Sequence, residues 1–157
     1  MREIKLTQGK VAFVDDENYE WLNQFTWHAH LSGHNWYAVR HLERNGGYGP
    51  IIGMHRVILN SGKGMEVDHI DGNGLNNQRS NLRLCTRNEN AKNRFKIVGI
   101  SKFKGVGWHH KLRKWRSRIN VDGKSKFLGC FNSEIEAAIA YDIAAKKYHG
   151  EFARLNF

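Results

Sequence analysis

Polar and apolar positions change period several times along this chain, and each change marks an element. In the first fifty residues, IKLTQGKVAFV sets a Gln-Gly turn between two short β-prone runs. DDENYEWLNQF places acidic residues ahead of Trp21, Leu22 and Phe25 at helical spacing, which predicts a short helix. WHAHLSGHNWYAVRHL alternates on both sides of a Ser-Gly loop and predicts a hairpin. Further on, MEVDHI and LRLCT are strand-like runs separated by DGNGLNNQRSN, a loop of residues that tolerate tight turns. Thr86 and Glu89 then form T-x-x-E, a capping box that starts a helix with Asn90 on its first turn.

After a short basic connector the period returns to two. Strands are expected at 103–109, 114–121 and 126–131, the last two joined by a hairpin-like Asp-Gly. Ser133 and Glu136 make a second capping box, and Ala137, Ala140, Tyr141, Ala144, Ala145 and Tyr148 recur at helical intervals up to Gly150. An alanine-lined face lets a helix approach a sheet closely, so a three-stranded antiparallel sheet crossed by one helix is expected. The predicted class is α+β. Residues 1–53 read as a small mixed unit, 54–95 as strand, loop, strand and helix, 96–102 as a basic connector, and 103–157 as the sheet and its helix.

Charge changes the picture more than composition does. The net charge of +10 is spread unevenly: residues 1–66 are neutral, 67–95 carry +2 and 96–157 carry +8. A basic module joined to a neutral one suggests a polyanionic partner, and nucleic acid is the commonest. No apolar run approaches the roughly 20 residues a bilayer needs, and MREIKLTQGK lacks the apolar stretch of a secretory signal. A cytoplasmic protein without a membrane partner is expected. Cys85 and Cys130 form neither a disulfide framework nor a zinc pair and read as small buried hydrophobes. His28 and His30 share a strand face and leave a two-histidine site open, although no cysteine or carboxylate accompanies them.

The stretch GMEVDHIDGNGLNNQRSNLRLCTRNENAKN concentrates chemistry. Hydrolysis of a phosphodiester needs an activated water and neutralisation of charge on the phosphate, and histidine is the natural general base near neutral pH. A hard divalent cation keeps several waters, so one carboxylate and one amide can hold it. Asp68 and Asn90 supply that pair, His69 points differently from its neighbour, and Asn81 can hydrogen-bond the loop backbone and fix the histidine. Asp71 suits a turn and is left out of the metal site.

Asp68-His69, Asn81 and Asn90, within VDHIDGN, NNQRSNLR and T-x-x-x-N, resemble the HNH homing endonucleases in the variant whose final His is Asn. The resemblance runs from about Met54 to Asn93. It implies a ββα-metal fold with His69 as general base, Asn81 as the middle structural Asn, and Asp68 and Asn90 on one divalent metal. Mg²⁺ is the expected ion, Mn²⁺ an acceptable one, and no structural zinc is expected because the family's cysteine knuckle is absent. His55 matches a supporting position. Such proteins are typically encoded in mobile introns or as free-standing phage genes.

FKGVGWHHKLRKWRSRI, KFLGCF, EAAIAYDIAAKKYHG and LNF are similar to the plant ethylene-response-factor (Apetala-two) DNA-binding domain. That family lays its sheet into the DNA major groove, which admits a β-ribbon. The resemblance implies Arg116, Arg118 and Asn120 on the DNA face, with Lys104 and Phe127 at matching positions. Gly107 stands where an Arg is usual and Arg118 where an acid is, so the plant target sequence does not carry over. The expected activity is metal-dependent cleavage of double-stranded DNA. A binding protein with an inactive nuclease motif is the alternative, and the intact Asp68, His69 and Asn90 argue against it.

Overall fold

The computed structural model describes residues 1–44, 47–95 and 99–157. Its described residues form small antiparallel sheets and short helices, in the expected α+β class. Two compact units emerge, Met1–Asn90 and Ala91–Phe157.

In the first unit, β1 (Arg2–Lys5) pairs with β2 (Val11–Val14) across a turn where Gln8 and Gly9 take φ of 58° and 65°. Helix α1 (Asp16–Leu22) is shorter than the apolar spacing suggests. Asn23 caps it through Tyr19 O, and Phe25 falls beyond it, 40% exposed, with the Arg40 guanidinium 4.1 Å from its ring centre. Strands β3 (His28–Ser32), β4 (Asn35–Arg44) and β5 (Gly47–Gly53) form a sheet with β4 central. The sequence reading did not anticipate β5, because Gly47, Gly49, Pro50 and Gly53 look like loop residues. As an edge strand it tolerates the missing proline N–H.

Helix α2 (Met54–Ile58) leads to β6 (Glu66–His69), which pairs antiparallel with β7 (Leu82–Cys85). A single 3-10 turn, Arg79–Asn81, precedes β7, and α3 (Arg87–Lys92) follows it. The predicted capping box is present, with Thr86 Oγ1 accepting from Glu89 N and Thr86 N donating to Glu89 Oε2 at 2.7 Å. Two four-residue strands cannot bury a face by themselves. Val67 and Leu82 instead join Ile4, Ala12, Val14, Leu22, Trp27, Ala38, Met54 and Ile58 in one core. Residues before and after position 53 therefore share a single interior. Side chains such as Leu22 and Met54, fully buried here, each stabilise a fold by about 1.5–3 kcal/mol.

In the second unit, β8 (Val106–His109), β9 (Lys114–Val121) and β10 (Lys124–Phe131) form an antiparallel sheet with β9 central, and α4 (Glu134–His149) packs on it. Ile119, Tyr141, Ala144 and Ala145 form one part of the core and Val106, Ala137 and Ala138 another. Gly105, at φ 78°, is required because the Tyr141 ring occupies the space a Cβ would need. Ser133 and Glu136 cap α4 reciprocally, as the sequence predicts. Asp142 accepts from the backbone of Asn156 and Phe157 and ties the chain end to the helix. Of the expected connector 96–102, residues 96–98 lie outside the described residues. Cys85 is buried as expected, but Cys130 is half-buried, because a register shift between Phe127 and Gly129 sets it opposite Arg116.

Candidate active site

Register in the β6–β7 hairpin separates two chemistries. Glu66 pairs with Cys85, Asp68 with Arg83 and His69 with Leu82. Side chains alternate along a strand, so Glu66, Asp68, Arg83 and Cys85 share one face and His69 points to the other.

His69 is 5% exposed, and its Nε2 lies 3.4 Å from Asn77 Oδ1. Asn77 is itself fully buried, and its Nδ2 donates to Leu75 O at 3.1 Å, which orients the amide with its acceptor toward the imidazole. That network assigns the proton to Nε2 and the lone pair to Nδ1. Ring centres of His55 and Tyr37 lie 5.0 and 5.9 Å from His69, and Tyr37 is 5.8 Å from His55. Burial holds the His69 pKa below the usual histidine value, although the Asn77 hydrogen bond and the charges of Asp71 and Asp68 pull it upward. Burial, then the charges of His69 and Arg56, lower His55 to about 3. Both rings are therefore neutral near pH 7.

The Gly/Asn loop is tied at both ends. Asn81 Oδ1 accepts from Asp71 N at 3.0 Å, and its Nδ2 donates to Asp71 Oδ1 and Asn76 O, each at 2.9 Å. Asp71 also accepts from Asn73 N at 2.7 Å and Asn76 Nδ2 at 2.9 Å. Burial alone would raise the Asp71 pKa, but these hydrogen bonds outweigh it and hold the carboxyl below its usual range. Asp71 thus organises a turn.

Distant residues hold the loop from outside. Phe13 N donates to Leu75 O at 2.9 Å, and Asn77 N donates to Phe13 O at 2.7 Å. Asp15 accepts from Arg79 N at 2.7 Å, and Asn35 Nδ2 donates to Gly72 O at 2.7 Å. Gly74 lets β4 come this close, because a Cβ there would meet the Tyr37 ring and the Trp36 carbonyl. Sequence reasoning missed these supports. Asn77 reads as one more turn residue, and Phe13, Asp15, Asn35 and Tyr37 give no local signal.

On the opposite face, Arg83 donates from Nε at 2.9 Å and Nη2 at 2.6 Å to Asp68 Oδ2, with side-chain exposures of 13% and 6%. Asn90 Nδ2 donates to Glu66 Oε2 at 2.7 Å, which gathers Asn90 onto the face that carries Asp68. Glu66 and Arg83 were not singled out from sequence, although two-residue spacing from Asp68 and cross-strand register could have found them. Among the described residues no group of three or more His, Cys, Asp or Glu is set to hold a metal. The oxygens of Asp68, Glu66 and Asn90 are hard donors of the kind a divalent cation takes together with water. Burial, then the charges of Asp68 and Glu66, push the Cys85 thiol up to about 11, so it stays protonated and offers no soft thiolate.

In the second unit β9 has the predicted two faces. Ser117 and Ile119 are buried, Arg118 and Asn120 are exposed and Arg116 is half-buried. Phe127, 63% exposed, pairs across from Arg118, so Arg116, Arg118, Asn120 and Phe127 share the face away from α4. Lys104 is placed otherwise. Its Nζ donates to the Lys92 carbonyl, and burial, then the charge of Arg154, lowers its pKa to about 8. Trp108 packs edge-on against Trp115 at 5.1 Å. The two-histidine idea gains no support, since His28 lies beside His41, with ring centres 6.4 Å apart, and His30 is exposed.

Residues 53–92 match the family model described as HNH endonuclease. Over 94 residues the chain is 33% identical to protein 3.8 of Escherichia phage T7, a match spanning 59% of this chain and 76% of that protein. Over 61 residues, 38% of the chain, it is 44% identical to the ethylene-responsive transcription factor WRI1 and 46% identical to the AP2-like ethylene-responsive transcription factor PLT2, both of Arabidopsis thaliana. The chain spans only 14% and 11% of the lengths of those two plant proteins.

Proposed function

The chain belongs to the family of phage T7 protein 3.8 and carries an HNH endonuclease domain, and from that premise we propose that it is a metal-dependent endonuclease of the homing type that cuts double-stranded DNA. The observation that carries the reading is the division of labour across the β6–β7 hairpin. The HNH match spans both faces of it, with a buried neutral His69 on one and Asp68, Glu66 and Asn90 on the other.

In this reading the segment from Met54 to Asn93 works as a ββα-metal nuclease. Asp68 and Asn90 hold the metal, with Glu66 beside them, and the metal supplies charge stabilisation at the scissile phosphate. His69 takes the proton of the attacking water at Nδ1. Its Nε2–H stays on Asn77 Oδ1, so the ring cannot turn as the charge develops. Asn81 acts on the loop rather than on substrate, by fixing the path from Asp71 to Asn76. Tyr37 and His55 exclude bulk water from one side of the imidazole, which keeps the base unprotonated near pH 7.

Arg116, Arg118, Asn120 and Phe127 present the recognition face to the duplex. No helix among the described residues is long and apolar enough to cross a membrane, and the proposed setting is cytoplasmic. The test is incubation of the full chain with supercoiled plasmid carrying the DNA around its own gene, with EDTA, Mg²⁺ or Mn²⁺. Metal-dependent nicked or linear product is expected. Plasmid that is bound but stays intact in both metals would overturn the nuclease reading and leave a DNA-binding protein.

A further inference from the structure

Arg83 sits on the very carboxylate that the nuclease reading gives to the metal. Its Nε and Nη2 both donate to Asp68 Oδ2, at 2.9 and 2.6 Å, and both side chains are nearly buried. Cross-strand register sets the two opposite each other, with Glu66 two residues along on the same face. The Cys85 thiol, pushed up to about 11, carries no charge near pH 7, and Glu89 of α3 is committed to the Thr86 cap. The strand side chains of this face are therefore two carboxylates, a guanidinium and a neutral thiol, with one negative charge between them. A divalent cation turns that into one positive charge, in a place with little water to screen it. One phosphodiester returns the face to neutrality.

We propose that Arg83 is a gate on the metal site: it holds Asp68 until a DNA phosphate draws its guanidinium away, so that metal and DNA bind with positive cooperativity. The proposal rests on the reading of Asp68 as a metal ligand and adds the regulation of that site. A guanidinium and a metal ion are both cations, and on one buried carboxylate each weakens the hold of the other. A phosphodiester is the acceptor that suits the displaced guanidinium, because arginine's planar fork matches phosphate as well as carboxylate. Arg83 then exchanges one anionic partner for another and is never left as an unpaired buried charge, which would be costly. Linkage makes the effect reciprocal. Without DNA the chain holds metal weakly, and without metal Arg83 is kept from the phosphate.

The test uses the full chain carrying His69→Ala, which slows cutting during the measurement, and Mn²⁺, which electron paramagnetic resonance counts directly. Without DNA, the further change Arg83→Met should tighten Mn²⁺ binding about tenfold, a coupling of ordinary size. Anisotropy of a labelled duplex taken from around the gene then gives DNA affinity in EDTA and in Mn²⁺, at constant ionic strength because that affinity depends on salt. With Arg83 present, Mn²⁺ should tighten DNA binding about tenfold more than it does in Arg83→Met, where only direct contact between metal and phosphate remains. Arg83→Gln keeps a neutral hydrogen bond to Asp68, should give the same two results, and stands in where the methionine variant does not fold. Equal Mn²⁺ affinity with Arg, Met or Gln at position 83, or an equal Mn²⁺ effect on DNA binding, would overturn the gate and leave the metal assignment standing. Mn²⁺ binding that survives Asp68→Ala unchanged would overturn the metal assignment, and the gate with it.

Discussion

The Arg83–Asp68 pair gives the sharpest test of the metal assignment, because it links stability to metal in one variant. Arg83→Met keeps much of the side-chain volume and removes the cation from a carboxylate that is 6% exposed. Breaking a buried pair costs about 3–5 kcal/mol, because one charge is left buried and uncompensated. The 13% exposure of the Arg83 side chain places this case at the lower end, about 3 kcal/mol. For a unit of this size 1 kcal/mol moves the midpoint by about 4–8 °C, so the first unit should melt about 12–24 °C earlier in EDTA. The second unit has its own core and serves as an internal control. If Asp68 binds the metal, Mg²⁺ should restore much of the loss. Saturation at a hundred times Kd contributes about 2.7 kcal/mol. Wild type should gain less, since the ion must compete with Arg83 for Oδ2. The assay is calorimetry of the full chain in EDTA and in Mg²⁺. An equal Mg²⁺ effect in Arg83→Met and in the Asp68→Ala/Arg83→Met double variant would refute the ligand assignment, and a midpoint unmoved in EDTA would refute the energetic argument.

Three further outcomes are expected. His69→Ala should lower the cleavage rate by roughly 10²–10⁴-fold while DNA affinity in gel shifts stays nearly constant; a parallel loss of binding would make His69 structural. Arg118→Ala should weaken DNA binding by about 1–3 kcal/mol if it reads a base, without moving the melting of the second unit. Ile119→Ala on the other face should destabilise that unit by about 2–5 kcal/mol. The third concerns acid stability. His55 has a folded pKa of about 3 against an ordinary 6.5, so the unfolded chain takes up the proton first. Stability is fully present above pH 6.5 and is lost by about 1.4 kcal/mol per unit as pH falls toward 3. His69, shifted in the same direction, adds to the loss. His55→Gln should reduce the slope of the melting profile between pH 6.5 and 4.5 to the part His69 supplies, and a slope equal to that of the wild type would place the effect elsewhere.

The elements that sequence reading anticipated are those whose signal is local. T-x-x-E at Thr86 and S-x-x-E at Ser133 name helix starts because the caps are built from neighbours. The alternation of Trp115 to Val121 shows the two faces of β9 because a strand turns by half a cycle per residue. Strand β5 escaped because what permits its Pro and Gly residues is its place at a sheet edge, which only the partner strand defines. Asp68, His69, Asn81 and Asn90 were nameable because their spacing lies within a segment of about 25 residues. The partners that decide how those side chains sit were not. Asn35 on Gly72, Phe13 on Leu75 and Asn77, Tyr37 against His69 and Arg83 on Asp68 follow from register and tertiary approach. Lys104 shows the same limit, since its contact with the Lys92 carbonyl depends on how the chain returns on itself.

The bond from Arg79 N to Asp15 joins positions 64 apart in the chain, and this separation governs when the site can exist. Contacts of such span form late, because loop closure must precede any reward from them. During synthesis the strand that carries Phe13 emerges long before the loop it will hold, at a pace of about 5–20 residues per second. Until the β6–β7 hairpin has followed, the early strands have no partner for those groups, and the hairpin in turn has no wall for His69. The contacts that order the loop therefore reach from Phe13 to Asn81 within the unit Met1–Asn90. A peptide cut to the matched segment 53–92 would keep every motif residue and lose the order that makes them a site. The heritable signature is thus shorter than the smallest piece that can fold into it.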